Sequence, residues 1–229
     1  MSTWSLVLCE GAHDQEFLCT LLVVSENWSV VEGFQVPGVH QPSNKQFKTL
    51  FSQGTNRRLA FAALGGVSKL LGDDGRDLLH YNSASATTAA IIVDADDVGV
   101  ATRVAEVRDL WTRADLPDAT APQLGALVPG KPSSARWVAP DCSSPGSLDQ
   151  LIVEAARLMS PRRVELAQHF VAELARAETR PHDWGAYEDK AIAGAIGQRW
   201  KAGGSLASAL QEREAWMTPE LAAKPLSGL

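Results

Sequence analysis

The apolar positions of this chain form two kinds of stretch. Some are short unbroken runs bounded by acids, glycines and prolines; in others apolar residues recur every three or four positions. The first kind predicts strands and the second helices. Residues 4–9 predict a first strand, followed by a helix from about residue 14 to 24 with Phe17, Leu18, Leu21 and Leu22 on one face. Residues 28–36 alternate as a second strand, residues 37–43 read as loop, and residues 44–51 predict a short helix broken at Gly54. Residues 59–71 read in two ways: a strand, a Gly65-Gly66 turn and a helix, or one helix carrying two glycines at a cost of about 1 kcal/mol each. Residues 73–88 are polar and turn-rich.

Residues 89–93 form a continuous apolar run, the mark of a central parallel strand buried on both faces. Residues 98–116 predict a helix, with Val100, Val104, Val107 and Trp111 at helical spacing. Residues 124–128 and 136–139 are candidate strands, residues 140–146 a loop, and Ser147 the N-cap of a helix running to residue 159. Beyond Pro161 only helices are predicted, over residues 162–177, about 187–200, and 205–216. Strands alternating with helices and then helices alone predict an α/β fold, a mostly parallel sheet flanked by helices with an α-helical C-terminal extension. The division expected is a core over residues 1–160 and an extension over residues 161–229 packed on it.

The ends of two strands carry the chemistry. The run Ile91-Ile92-Val93 stops at Asp94-Ala95-Asp96-Asp97, and Leu6-Val7-Leu8-Cys9 stops at Glu10-Gly11-Ala12-His13-Asp14. In an open parallel sheet, ligands bind at the carboxyl ends of the strands. Two strands ending in acids therefore bring several negative charges to one rim. Two like charges about 4 Å apart repel by roughly 4 kcal/mol at an effective dielectric near 20, so such a rim calls for a cation. Oxygen ligands alone select a hard one, Mg²⁺ or Mn²⁺. In an extended strand residues i and i+2 share a face about 7 Å apart, so Asp94 and Asp96 are expected to point to one side. Glu10 then supplies the opposite side or acts as a general base, Asp14 reaches the same rim one helical turn on, and Asp97 caps the following helix.

Charge and composition narrow the partners. The chain has 21 basic against 27 acidic residues, net −6, which argues against coating nucleic acid by bulk charge. Between Gly33 and Gly72, however, there is no Asp or Glu, while Lys45, Lys48, Arg57, Arg58 and Lys69 all fall there. That segment reads either as a phosphate-binding surface for nucleic acid or as a solvated stretch of uneven charge. Cys9, Cys19 and Cys142 show neither disulfide nor zinc spacing and suit a reducing cytoplasm. No signal peptide and no run near the roughly 20 apolar residues of a membrane span is recognised, so no membrane role is expected. The five histidines are scattered; His13, inside the motif turn, is the one placed to line the site.

Glu10-Gly11-x-x-Asp14 and Asp94-x-Asp96 at strand ends resemble the two signature motifs of the toprim domain. That domain is shared by primases, topoisomerases, recombination proteins and the OLD-family nucleases. Gly65-Gly66-Val67-Ser68-Lys69-Leu70 is similar to the glycine turn between the acidic motifs of OLD-type toprims. Ser144-Pro145-Gly146-Ser147-Leu148-Asp149 is similar to their later P-G-x-L-E motif, with Asp149 where that family has Glu. The resemblance spans about residues 4–200 and is closest to small stand-alone toprim-like bacterial proteins encoded beside an ATPase. It implies a Rossmann-like core holding one or two Mg²⁺ or Mn²⁺ ions on Glu10, Asp14, Asp94, Asp96 and Asp149. It further implies phosphodiester hydrolysis, that is, a nuclease, with Glu10, Asp94, Asp96 and the late Lys190 as catalytic groups. An OLD-like defence or DNA-processing role with an ATPase partner follows from the same resemblance.

Two other functions compete. A non-catalytic toprim module would bind metal and nucleotide while docking on an ATPase. A haloacid-dehalogenase-type phosphatase would use Asp94 as nucleophile and Asp96 as acid, although about ninety residues precede a motif that belongs on a first strand. The position of the basic residues relative to the acidic rim separates the first two: beside it for a nuclease, facing away for a module. Self-association is left open.

Overall fold

The computed structural model describes residues 3–26, 28–31, 46–116, 127, 129–177, 187–212, 217 and 218. Among these the strands are β1 (Thr3–Cys9), β2 (Ser29–Val31), β3 (Gln46–Ser52), β4 (Arg57–Ala63), β5 (Thr88–Asp94) and β6 (Ser133–Ala139). The helices are α1 (Ala12–Ser25), α2 (Val67–Leu70), α3 (Asp73–Ser83), α4 (Val100–Arg113), α5 (Leu148–Met159), α6 (Pro161–Ala177), α7 (Tyr187–Trp200) and α8 (Leu206–Leu210). The strands form one sheet in the order β2-β3-β4-β1-β5-β6. β1 runs parallel to β4 and β5, and β5 parallel to β6, while β3 is antiparallel to both β2 and β4. This is the α/β architecture expected, a mostly parallel sheet flanked by helices.

Two apolar layers sandwich the sheet, and β1 supplies both: Val7 enters one, Leu6 and Leu8 the other. The layer on the Leu6 side is closed by α2, α3 and α4, through Leu70, Leu78, Leu79, Val107 and Trp111. On the opposite side Phe17 and Leu21 of α1 share one core with Ile152, Val164, Ile192, Ile196 and Leu210. The C-terminal helices therefore complete the second layer of the sheet. Polar ties support this, since Thr20 Oγ1 donates to the Leu210 carbonyl at 3.2 Å and Gln211 Nε2 to Glu16 at 2.9 Å. Among the described residues no helix is long and apolar enough to cross a membrane.

Several segments depart from the sequence reading. The short helix expected over residues 44–51 is instead strand β3. It forms a hairpin with β4, in which Ser52 faces Arg57 and Lys48 faces Phe61. Asn56, at φ +50°, helps close the turn between them, and the ladder satisfies the backbone that a helix would have satisfied locally. The polar stretch after residue 73 is helix α3, held by buried Leu78 and Leu79. Asp73 and Asp74 sit favourably in its first turn. Gly75 lets it approach α2, because a Cβ there would lie 1.8 Å from the Leu70 carbonyl oxygen.

The ambiguous residues 59–71 resolve as strand, turn and helix. Gly65 and Gly66 take φ +83° and +121°, a conformation suited to glycine. The second strand is described only over Ser29–Val31, and the candidate strand at 124–128 lies outside the described residues save for Leu127, which joins no strand. The last helix is described only as α8; residues 213–216 lie outside.

Candidate functional site

The carboxyl ends of β1 and β5 lie side by side, and the turns leaving them interlock. Glu10 follows β1, and its carbonyl accepts the N–H groups of Gly65 and Gly66 at 2.6 and 2.8 Å. Its side-chain Oε1 accepts the backbone N–H of Asp94 at 3.0 Å. Asp94 closes β5, and its Oδ1 accepts the N–H of Leu148 at 2.8 Å, at the start of α5. Ser147 is the N-cap residue of α5, as expected, but its side chain makes no capping bond; the carboxylate of Asp94 reaches the helix start instead. Asp14 Oδ2 accepts the Gly11 N–H at 2.8 Å, which fixes the entry to α1.

Asp96 lies beyond the strand. It adopts φ +46°, and its N–H donates to the Gly146 carbonyl at 2.6 Å. The expected sharing of one strand face by Asp94 and Asp96 is therefore corrected: β5 ends at Asp94, and a left-handed turn places Asp96. Nor does Asp97 cap the next helix, whose N-cap is Gly99.

Arg103 organises this turn and escaped the sequence reading. Its side chain is buried, with Nε donating to the Asp94 carbonyl at 2.8 Å, Nη2 to Asp96 Oδ2 at 2.9 Å and Nη1 to Glu106 Oε2 at 2.8 Å. A signal was available. Arg103, Val107, Leu110 and Trp111 occupy one helical face, and an arginine on an apolar stripe marks a buried partner.

The acids act on one another. Burial, then the charges of Asp14 and Glu10, push Asp94 up to about 9. Burial first, with Asp14 and Asp96 adding, raises Glu10 to about 7. Burial and the charge of Asp149 raise Asp14 to about 6, against the opposing pull of Lys190. Asp149, buried at the start of α5, is raised by burial while Lys190 again opposes. Lys190 itself is exposed at the start of α7; His13, half-buried beside Asp14, is lowered by its own burial first and then by the charge of Lys190. The structure thus brings Glu10, Asp14, Asp94, Asp96, Asp149 and Lys190 to one rim. Beside it lies a polar cavity of about 150 Å³ lined in part by Asp96, Asp97, Ser147, Gln150 and Asp189.

The basic series does not assemble in the same way. Lys45 lies outside the described residues. Lys48 is half-buried in an ion pair with the buried Glu16. Arg57 and Arg58 pair in register with Thr3 and Trp4, at the start of β1. Glu10 follows the other end of that strand, six residues and about 20 Å away. Arg58 is further engaged over the Phe51 ring at 5.6 Å. Only Lys69 of the described members approaches the rim, with its Nζ 3.8 Å from where a Gly65 Cβ would stand. Strand direction thus separates Arg57 and Arg58 from the acids.

The donor set is all oxygen and suits a hard divalent cation. Among the described residues no three Asp, Glu, His or Cys side chains converge to hold an ion. That arrangement fits Mg²⁺ or Mn²⁺ carried on one or two carboxylates with most of its own water retained, and does not fit a closed protein cage.

No curated protein matches the chain. A crystal structure of a hypothetical protein from Pyrococcus horikoshii OT3 matches with a TM-score of 0.65 and 15% identity, covering 98% of this chain and 94% of that one. At that identity the likeness shows a common fold. A family model described as a protein of unknown function, DUF3226, matches residues 5–220. The match spans nearly the whole chain, which therefore belongs to the DUF3226 family.

Proposed function

We propose that the protein is a divalent-metal-dependent phosphodiesterase acting on nucleic acid, a nuclease. The observation that carries this reading is the raised carboxyl group of Asp94, pushed to about 9 by burial and by neighbouring acids at the rim of the sheet. Repulsion of this kind is relieved by a cation, and the resemblance to toprim motifs points the same way. One or two of the rim carboxylates of Glu10, Asp14, Asp94, Asp96 and Asp149 would hold Mg²⁺ or Mn²⁺, with most of its water retained. Bound there, the ion would supply stabilisation of charge developing on a phosphodiester. With the ion resting on its neighbours, Glu10, raised by burial to about 7, would be matched to accepting a proton near neutral pH. Lys190 and Lys69 offer positive charge to the phosphate from either side of the acids.

A second reading has its own support. With Arg57 and Arg58 at the far end of β4 and Lys48 bound to Glu16, the rim lacks a basic track for a long polyanion among the described residues. This favours a metal- or nucleotide-binding module that acts through a partner, an ATPase on the analogy of the toprim resemblance. The phosphatase reading is disfavoured, because its acid, Asp96, is ion-paired with Arg103.

The deciding experiment incubates the protein with plasmid, single-stranded DNA and RNA in Mg²⁺, Mn²⁺ or EDTA, beside Asp94→Ala/Asp96→Ala. Metal-dependent cleavage lost in the variant supports the nuclease. Binding of Mn²⁺ without cleavage supports the module.

A further inference from the structure

The polar cavity of about 150 Å³ beside the rim holds groups for which the reading above has no use. Asp96 belongs to both, so the cavity opens directly off the acids. Asp97, beyond β5, and Asp189, in the first turn of α7, add two further carboxylates to its wall. Ser147 and Gln150 enter it from the start of α5. Ser147 is only 4% exposed, and its hydroxyl makes neither a capping bond nor, among the described residues, any other hydrogen bond. The carboxamide of Gln150 likewise has no partner among them. It lies over Gly146, where a Cβ would stand 2.7 Å from its carbon, so glycine at that position leaves the amide its place. A buried hydroxyl is normally hydrogen-bonded, and one left open on a cavity awaits an occupant.

The lining states the chemistry of that occupant. Carboxylates repel a phosphate and accept from N–H or O–H donors, while a hydroxyl and a carboxamide both donate and accept. A polyol satisfies the whole set, since each of its hydroxyls can donate to a carboxylate and accept from Ser147 or Gln150. A base would call for a stacking face, and among the described residues no aromatic side chain lines the cavity. Size agrees: pockets for whole small molecules run to about 300–1,000 Å³, whereas this one has room for a single sugar ring. Position agrees too. In a nucleotide chain the sugar is bonded directly to the phosphate, and Asp96 joins this cavity to the rim proposed to hold the phosphate through its ion.

We infer that this cavity takes the ribose adjoining the phosphate at the rim, and that the nucleic acid is therefore RNA. The 2′-hydroxyl, which DNA lacks, donates to a carboxylate of the cavity and accepts from Ser147 or Gln150. Acidic side chains hold ribose hydroxyls in the same way in dinucleotide-binding folds. The inference rests on the nucleic-acid reading of the rim and needs no cleavage to hold.

Fluorescence anisotropy tests it with a labelled single strand of about 12 nucleotides, prepared in one sequence as RNA, DNA and 2′-O-methyl RNA. Ca²⁺, another hard ion for oxygen ligands, replaces Mg²⁺ and Mn²⁺, and a gel checks that the strands stay whole. The wild type is expected to bind RNA about tenfold or more tighter than the other two strands. Ser147→Ala and Gln150→Ala each bring RNA down toward DNA and leave affinity for DNA within about twofold. Neither side chain is hydrogen-bonded within the protein among the described residues, so both variants keep the fold. Equal binding of RNA and DNA by the wild type overturns the inference, while the nuclease reading stands or falls on the cleavage assay. Variants that weaken all three strands alike, or none, overturn it as well, and so does failure to bind any strand. Preference for RNA lost in both variants, in a protein that cuts nothing, keeps the ribose site and removes the nuclease.

Discussion

Glu10 and Asp94 stand 84 residues apart in the chain and are joined by one hydrogen bond, from the Asp94 N–H to Glu10 Oε1 at 3.0 Å. A side chain proposed to hold a cation thus also completes the backbone of the neighbouring strand end. Glu10→Gln keeps an acceptor for that N–H, whereas Glu10→Ala strands a part-buried donor. The alanine variant is expected to lose about 1–3 kcal/mol in urea denaturation, and the glutamine variant much less. Equal losses would show that the bond carries no weight.

Asp94→Asn should raise stability in metal-free buffer at pH 8 and change little at pH 4. An unfolded aspartate titrates near ~3.9, while Asp94 in the fold titrates at about 9. Between these values the folded chain holds the extra proton. Its contribution is therefore full below the unfolded value and is lost as pH rises through the folded one. Thermal melts in EDTA check this, each kcal/mol appearing as roughly 2–4 °C in a chain of this size. A melting temperature lowered at pH 8 would contradict the electrostatic account.

Binding of Mn²⁺ should release protons, because raised carboxyls must ionise to serve as ligands. Affinity then climbs between pH 6 and 9, the interval spanned by Asp14, Glu10 and Asp94. Calorimetry in buffers of different ionisation enthalpy measures the protons directly. Proton uptake, or a pH-independent affinity, would remove these acids from the site.

Arg103→Met should cost about 1–3 kcal/mol by leaving the Asp94 carbonyl and the Asp96 carboxylate without their shared donor. Part of the guanidinium's role is charge beside Asp96, which a cation can supply. The deficit measured by denaturation is accordingly smaller in Mn²⁺ than in EDTA, and an identical deficit in both would separate Arg103 from the ion.

Arg57→Ala/Arg58→Ala should leave affinity for single-stranded DNA unchanged, while Lys69→Ala weakens it and flattens its salt dependence by about one ion. Fluorescence anisotropy at several salt concentrations compares them. A large effect of the arginine pair would place the nucleic acid at the other end of the sheet.

Much of the architecture was legible because burial on both faces leaves unbroken apolar runs, as at residues 4–9 and 89–93. The acids that end those runs were legible for the same reason. Strand β3 was not, since its identity depends on pairing with β4, and Phe47, Leu50 and Phe51 suit a helix face almost as well. Helix α3 hid behind Asp73, Asp74 and Gly75, whose roles as first-turn charges and close contact appear only once Leu70 is beside them. The location of Arg57 and Arg58 required strand direction, which sequence proximity to the rim does not give. Arg103 shows the converse, a buried partner readable from helical phase alone.

The order of the sheet also bears on how the chain reaches this state. Asp94 contacts Glu10 across 84 residues and Leu148 across 54, so the acids meet only after β1 has found β5 and α5 has docked. Contacts of such sequence separation close late in folding. Their repulsion is then largely absent from the transition state and is felt mainly by the finished fold. Neutralising the rim, by proton or by cation, should hold the native state in place longer by slowing its unfolding, while the rate at which new chains fold stays nearly the same.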